Sequence, residues 1–316
     1  MATQTDMPAE PARPESRRRQ AAPQTLAIYG PTAGGKSAVA GILRERLDAE
    51  VVSADSAALY AGIPILTAAP DYPARLVGLV PLSDDVSVGR YQRLAHEAID
   101  EIHATGRTAI VVGGTGLYLR AALSDLELPP PPAPGERERW EAVYDELGAE
   151  GAHALLAEHD NAAAARVHAN DRRRVVRALE LAAAGSSLAP PADRLWAEDQ
   201  RRPTLLVGIA GGDDDRIRRR VEHQLAAGVV DEARRAWAHP LSETARNVLG
   251  LEEFATLPPE EAAEAVIVAT RKLASYQRKW LRRLPSAVTL ASERAPEELA
   301  DEILALAGTG KRLPRR

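Results

Sequence analysis

The stretch Thr25–Leu47 reads TLAIYGPTAGGKSAVAGILRERL, and the order of its parts decides the fold. Thr25 to Tyr29 is a short apolar run suited to a buried strand, and it stops at Gly30. From Lys36 to Leu47 the apolar residues Val39, Ile42, Leu43 and Leu47 recur at helical spacing. Between the two lies Gly30–Ser37, GPTAGGKS, a full match to G-x-x-x-x-G-K-[ST] placed where that pattern carries meaning, after a strand and opening a helix. Gly30, Gly34 and Gly35 allow backbone N–H groups to converge on phosphate oxygens at a helix N-terminus. Lys36 adds a point charge, and the Ser37 hydroxyl suits Mg2+. The whole loop (Gly30, Pro31, Thr32, Ala33, Gly34, Gly35, Lys36 and Ser37) is therefore read as a cradle for a polyphosphate or diphosphate. The loop alone does not choose between them. A glycine-rich turn without a ligand is the plainer alternative, and the strand and helix flanks argue against it.

Similar short apolar runs follow at Glu50–Ala54, Thr108–Val112, Thr204–Ile209 and Ala287–Leu290. With helical stretches such as Tyr91–Ala104 between them, these predict an α/β protein: a P-loop-type parallel sheet of about five strands flanked by helices. Pro129–Pro134, PPPPAP, cannot continue a helix, and Ala-rich helical sequence runs from there to about Leu195. Residues 129–198 are thus expected to form a helical insertion in a core made of 25–128 and 199–307. Residues 1–24 carry no apolar period and read as a disordered tail, and 308–316 as a short, frayed basic one.

Composition narrows the function classes. With 316 residues, 45% hydrophobic and 27% charged, the chain has about two domains' worth of ordinary globular sequence. It lacks an apolar run of 18 residues, and its first 24 residues offer no signal-peptide core, so a cytoplasmic location is expected; the expected form is a monomer. Zero cysteines exclude disulfides, thiolate metal sites and cysteine nucleophiles, and the seven histidines form no metal-binding pair. The net charge of −5 argues against non-specific nucleic-acid binding by the protein as a whole, but leaves room for a local basic face.

An ATP-dependent kinase should also carry a strand ending in an Mg2+-binding Asp. Here Thr108–Val112 instead runs into Gly113, Gly114, Thr115 and Gly116. Asp55, at the end of the second strand, is the available carboxylate; by pattern alone it is equally a capping residue.

Three stretches together resemble the tRNA dimethylallyltransferases: GPTAGGKS (Gly30–Ser37), SADSAALYAGIPILTAAP (Ser53–Pro70) and VVGGTGLYLRA (Val111–Ala121). NDRRRVVRALE (Asn170–Glu180), RRVEHQLAAGVVDEAR (Arg219–Arg234) and ATRKLASYQRKWLRR (Ala269–Arg283) extend the resemblance from Thr25 to about Leu290. It implies transfer of a dimethylallyl group from dimethylallyl diphosphate to the exocyclic amine of adenosine-37 in tRNA, with Mg2+ as cofactor. It further implies Asp55 as the base, Arg216 as the diphosphate-binding arginine, and Thr115 near the reacting region or the tRNA. The implied tRNA contacts are Asp55, Ser56, Ala57, Ala58, Thr115, Arg137, Arg173, Arg174, Arg177, Arg278 and Lys279.

The charge distribution agrees with that partner. Arg271–Arg283 holds six Lys or Arg and no acid, with Tyr276 and Trp280 interleaved, and Arg172, Arg173, Arg174 and Arg177 form a second cluster. A solvated helix face with a core-facing Trp280 is the simpler account of either cluster alone. The sequence departs from the family at Ala58 (commonly Gln), Ala69 (Lys), Pro73–Gly78 (a His pair absent), Leu251 (Tyr), Ser275–Tyr276 (Lys-Arg) and Arg172 (Pro). These leave the phosphate loop and Asp55 intact. Rival readings are an enzyme using free adenine nucleotide, an ATP-dependent small-molecule kinase and a non-catalytic RNA-binding relic.

Overall fold

The computed structural model describes residues 25–129, 131–189 and 194–308. The expected disordered tail at 1–24 lies outside these residues, as does the expected basic tail beyond Gly308; Gly308 itself closes the last helix. The first half of the core runs β1 (Thr25–Tyr29), α1 (Lys36–Arg46), β2 (Ala49–Ser53), α2 (Pro64–Thr67), β3 (Ala74–Arg75), α3 (Val88–Ala104), β4 (Thr108–Gly113) and α4 (Gly116–Leu123). Three helices follow, α5 (Glu136–His159), α6 (Asn161–Ala164) and α7 (Arg172–Ala183), then a 3-10 turn at Arg194–Trp196. The chain returns as β5 (Thr204–Ala210), α8 (Asp214–Ala226), α9 (Val229–Trp237), α10 (Glu243–Arg246), α11 (Leu251–Thr256), α12 (Pro259–Leu281), β6 (Val288–Ala291) and α13 (Pro296–Gly308).

All six strands are parallel, in the order β3-β2-β4-β1-β5-β6. Five coincide with the expected apolar runs to within a residue or two. The sixth, β3, is two residues long and pairs Ala74 and Arg75 with Val51 and Val52, too short to show a period in sequence. Alternation along each strand feeds two cores. Ala27, Tyr29, Ala109, Val111 and Leu206 face the layer built from α3, α4, α8, α9, α11 and α12. Leu26, Ile28, Ile110, Val112, Val207 and Ile209 face α1 and α13. Register makes this consistent across the sheet, Leu26 standing beside Ile110 and Leu205, and Ala27 beside Val111 and Leu206.

Helices α5 to α7 close around a third apolar cluster of their own, with Trp140, Tyr144, Leu156, Val175 and Leu179 at its centre. Helix α5 is broken at Gly148, whose φ of 68° no helix accommodates. Regular helix ends at Ala183, short of the Leu195 expected from composition. Among the described residues no helix is long and apolar enough to cross a membrane.

Candidate active site

The C-terminal ends of β1, β2 and β4 meet where the chain leaves the middle of the sheet, the usual place for a ligand in an open parallel sheet. A cleft of about 600 Å3, counting its open mouth, lies there. Its floor begins with the phosphate loop. Gly35 has φ 83° and is the N-cap of α1, which has no side-chain cap and no acid in its first turn. The orphan N–H groups of that turn are thus left for an anion. The Lys36 ammonium donates to the Pro31 carbonyl at 2.7 Å, which folds the side chain back over the loop. Burial, reinforced by Arg220 and opposed by Asp55, pushes Lys36 down to about 8.

Asp55 follows β2 and lines the same cleft. Its Oδ1 accepts from the Ala57 N–H at 3.0 Å, a turn that fixes the carboxylate; among the described residues Oδ2 makes no hydrogen bond. Ala54 N–H donates to Val112 O at 2.8 Å, so β2 and β4 stay zipped up to the site. Thr115 does not itself line the cleft but adjoins Gly114, which does, and is tied to the residue after Asp55: its Oγ1 accepts from Ser56 N–H at 3.3 Å and lies 3.4 Å from the Ser56 hydroxyl. Gly113 and Gly114, Thr115's neighbours, line the cleft, as does Ala58, while Ala57 packs against the core behind it.

Arg216 is not in the cleft. Its guanidinium donates to Ser292 O at 2.9 Å and lies 3.6 Å from Asp213, tying the start of α8 to the end of β6. Arg220, one turn further along α8, lines the cleft and donates to Thr67 O at 3.3 Å. Burial lowers its affinity for the proton and Asp55 opposes that shift. The signal for Arg220 is in the phase of α8: Ile217, Val221 and Gln224 are its buried residues, and position 220 falls on that stripe.

The basic residues divide. Arg137 and Arg177 are both engaged by the buried Glu180, at 3.0 and 2.8 Å, rather than offered to a partner. Arg278 turns its Nη1 inward to the carbonyls of Gly211 (3.4 Å) and Gly212 (3.2 Å). Arg173 is exposed, and so is Arg174, 3.5 Å from Asp171. Lys279 is exposed on α12 beside Lys272, Tyr276 and Arg282. Trp280 packs against Trp196 in a tilted pair with ring centroids 4.7 Å apart, and the Arg283 guanidinium covers Trp196 at 3.9 Å.

Sequence reasoning also missed Gln277, a buried residue of α12 whose amide lies against the phosphate loop. The Thr32 N–H, counted with the diphosphate-binding amides, is the group it holds. No cluster of three or more His, Cys, Asp or Glu stands among the described residues. Ser37, whose hydroxyl the sequence offers to Mg2+, lines the cleft together with Thr32 and Asp55, oxygen donors of the kind that hard cation takes.

A parallel sheet whose first strand ends in an anion-binding loop, with a lysine, an arginine and a carboxylate around one cleft, defines a P-loop α/β protein. The family model described as "IPP transferase" matches residues 58–284. The chain belongs to that family. It is 38% identical over 306 residues to a tRNA dimethylallyltransferase of Kineococcus radiotolerans, covering 89% of this chain and 95% of that protein. It is 39% identical over 280 residues to one of Streptomyces avermitilis, covering 84% and 89%. Among solved structures, the tRNA isopentenylpyrophosphate transferase of Bacillus halodurans superposes with a TM-score of 0.63 at 28% identity, over 90% of this chain and 96% of that one.

Proposed function

We propose that the protein transfers the dimethylallyl group of dimethylallyl diphosphate to the exocyclic N6 amine of adenosine-37 in tRNA and releases diphosphate. The observation that carries this reading is one cleft in which the Asp55 carboxylate stands among the cations Lys36 and Arg220. The allylic C–O bond breaks and its electron pair leaves on the diphosphate, where the loop amides, Lys36 and Arg220 stabilise the charge. The N6–C bond forms, and Asp55 accepts the amine proton that is lost, which matters because the amine lone pair is delocalised into the ring. Val51, Ala58, Ala69, Ala74 and Val77 give the cleft small apolar walls suited to a five-carbon chain. When bound, Mg2+ on Ser37 supplies further charge neutralisation of the leaving group.

The relatives' names supply the nucleic-acid partner, and the exposed Arg173 and Arg174 of α7, Lys279 of α12 and Arg282 at its C-cap are the side chains suited to its phosphates. Helices α5 to α7, within 129–198, grip the anticodon stem-loop in this reading. The adenine leaves the base stack to reach Asp55. The decisive experiment is transfer of radiolabelled dimethylallyl from its diphosphate, with Mg2+, to unmodified tRNA bearing adenosine-37. Free AMP and a guanosine-37 tRNA serve as controls. Label on the adenosine-37 tRNA alone is expected, and Asp55→Ala lowers it at least 100-fold while tRNA affinity stays within a few-fold. Label on AMP reassigns the acceptor, and label on neither overturns the reading.

A further inference from the structure

Within one turn near its C-terminal end, α12 faces both ways. Tyr276 and Lys279 are exposed, whereas Gln277 between them is buried. The Gln277 Oε1 accepts from the Thr32 N–H of the phosphate loop at 2.7 Å, and its Nε2 donates to the Gly114 carbonyl at 3.0 Å. The Tyr29 hydroxyl, at the end of β1, donates to the Gln277 backbone carbonyl at 3.2 Å. The side chain therefore spans the loops that follow β1 and β4, the two walls of the cleft. Its amide orientation is set by its partners, because an N–H needs an oxygen and a carbonyl needs an N–H.

No other side-chain type of this length serves both loops. A carboxylate only accepts, ammonium and guanidinium only donate, and asparagine is a methylene short. Space is equally constrained, since a Cβ on Gly114 meets the Gln277 Nε2 at 2.4 Å. Arg278 adds a second hold on the same loop: its carbonyl partner Gly212 packs against the Thr32 carbonyl.

We propose that Gln277 is a positioning residue that holds the phosphate loop and the Gly113–Thr115 loop at a fixed separation. The diphosphate cradle and the rim beside Asp55 are thereby set by the same helix that offers Tyr276 and Lys279 to the nucleic acid. The consequence for catalysis rests on the prenyl-transfer reading, but the loop geometry and diphosphate binding do not.

The test compares wild type with Gln277→Leu and Gln277→Glu in the full chain. It reads inorganic diphosphate affinity by calorimetry, the KM for dimethylallyl diphosphate, kcat, tRNA affinity, thermal stability and exchange of the Thr32 amide. Gln277→Leu is expected to weaken diphosphate binding and raise that KM about tenfold, with tRNA affinity within twofold. Gln277→Glu keeps the Thr32 bond but loses the donor to Gly114, so Thr32 stays protected while kcat falls. A merely structural role lowers thermal stability and leaves diphosphate affinity and the KM unchanged. That outcome overturns the proposal, as does a fast-exchanging Thr32 amide in the ligand-free wild type, which is read even if a variant fails to fold. If the wild type transfers no prenyl group, the diphosphate and exchange measurements still decide this inference while the functional reading fails.

Discussion

Arg216 and Arg220 lie four positions apart on one helix, and only their side-chain partners separate a tie from a ligand. Arg220→Ala is expected to raise the KM for the prenyl diphosphate and lower kcat/KM on the order of 100-fold, because a half-buried cation lining the cleft beside the leaving group is lost. Arg216→Ala leaves kcat/KM within about twofold and costs about 1 kcal/mol, read by urea denaturation. Lys36 makes a pH prediction. Burial and Arg220 disfavour its ammonium form, while a bound diphosphate favours it. Above about pH 8 the free protein must therefore take up a proton to bind, and the KM rises toward tenfold per pH unit. In Lys36→Arg, whose guanidinium stays charged, that limb disappears from the profile. The phosphate loop stood out in sequence because its glycines, lysine and hydroxyl are local; Asp55, two residues past the end of β2, was singled out by the family resemblance, since by pattern alone it is equally a capping residue. Arg220 was not singled out: in RIRRRV every arginine looks alike until the helix is packed. Gln277 was not either, because its two partners are more than 160 residues away in sequence.

At the level of the elements, the apolar runs located β1, β2, β4 and β5 because these are buried on both faces, and the edge strand β6 by a short apolar run of which only Leu290 is buried. β3 escaped because its two residues join the sheet only through pairing with β2. The arginines of the inserted helices show the opposite limit. Arg137 and Arg177 were both expected to contact tRNA, Arg177 as part of a basic cluster, yet both pair with Glu180, whose side chain is 2% exposed. Removing that carboxylate takes away the buried negative charge that both guanidiniums share at the α5–α7 interface. Glu180→Ala is expected to destabilise the protein by about 3 kcal/mol, seen as a lowered midpoint in urea. Glu180→Gln, which keeps part of the hydrogen bonding, recovers some of the loss.

For the molecule as a whole, a net charge of −5 coexists with exposed cations on α7 and α12. Charge reversal of Lys279 and Arg282 together is expected to weaken tRNA binding and to reduce the slope of log affinity against log salt by about 1 to 2, without changing diphosphate affinity. A filter-binding series from low to moderate salt measures both. The same architecture bears on how the chain is made. Strand β1, which carries the phosphate loop, lies inside the sheet with β4 on one side and β5 on the other. Thr25 pairs with Thr204, so some 180 residues, α5 to α7 among them, leave the ribosome before that edge is covered. At about 5–20 residues per second this is an interval of roughly ten to forty seconds. During it the nascent chain displays an unpaired apolar strand edge, while the inserted helices, with their own core, can already close. Synthesis rate and chaperone supply over that window thus become determinants of yield, and slow codons placed just before β5 are the place where a recombinant gene for this protein is most exposed to aggregation.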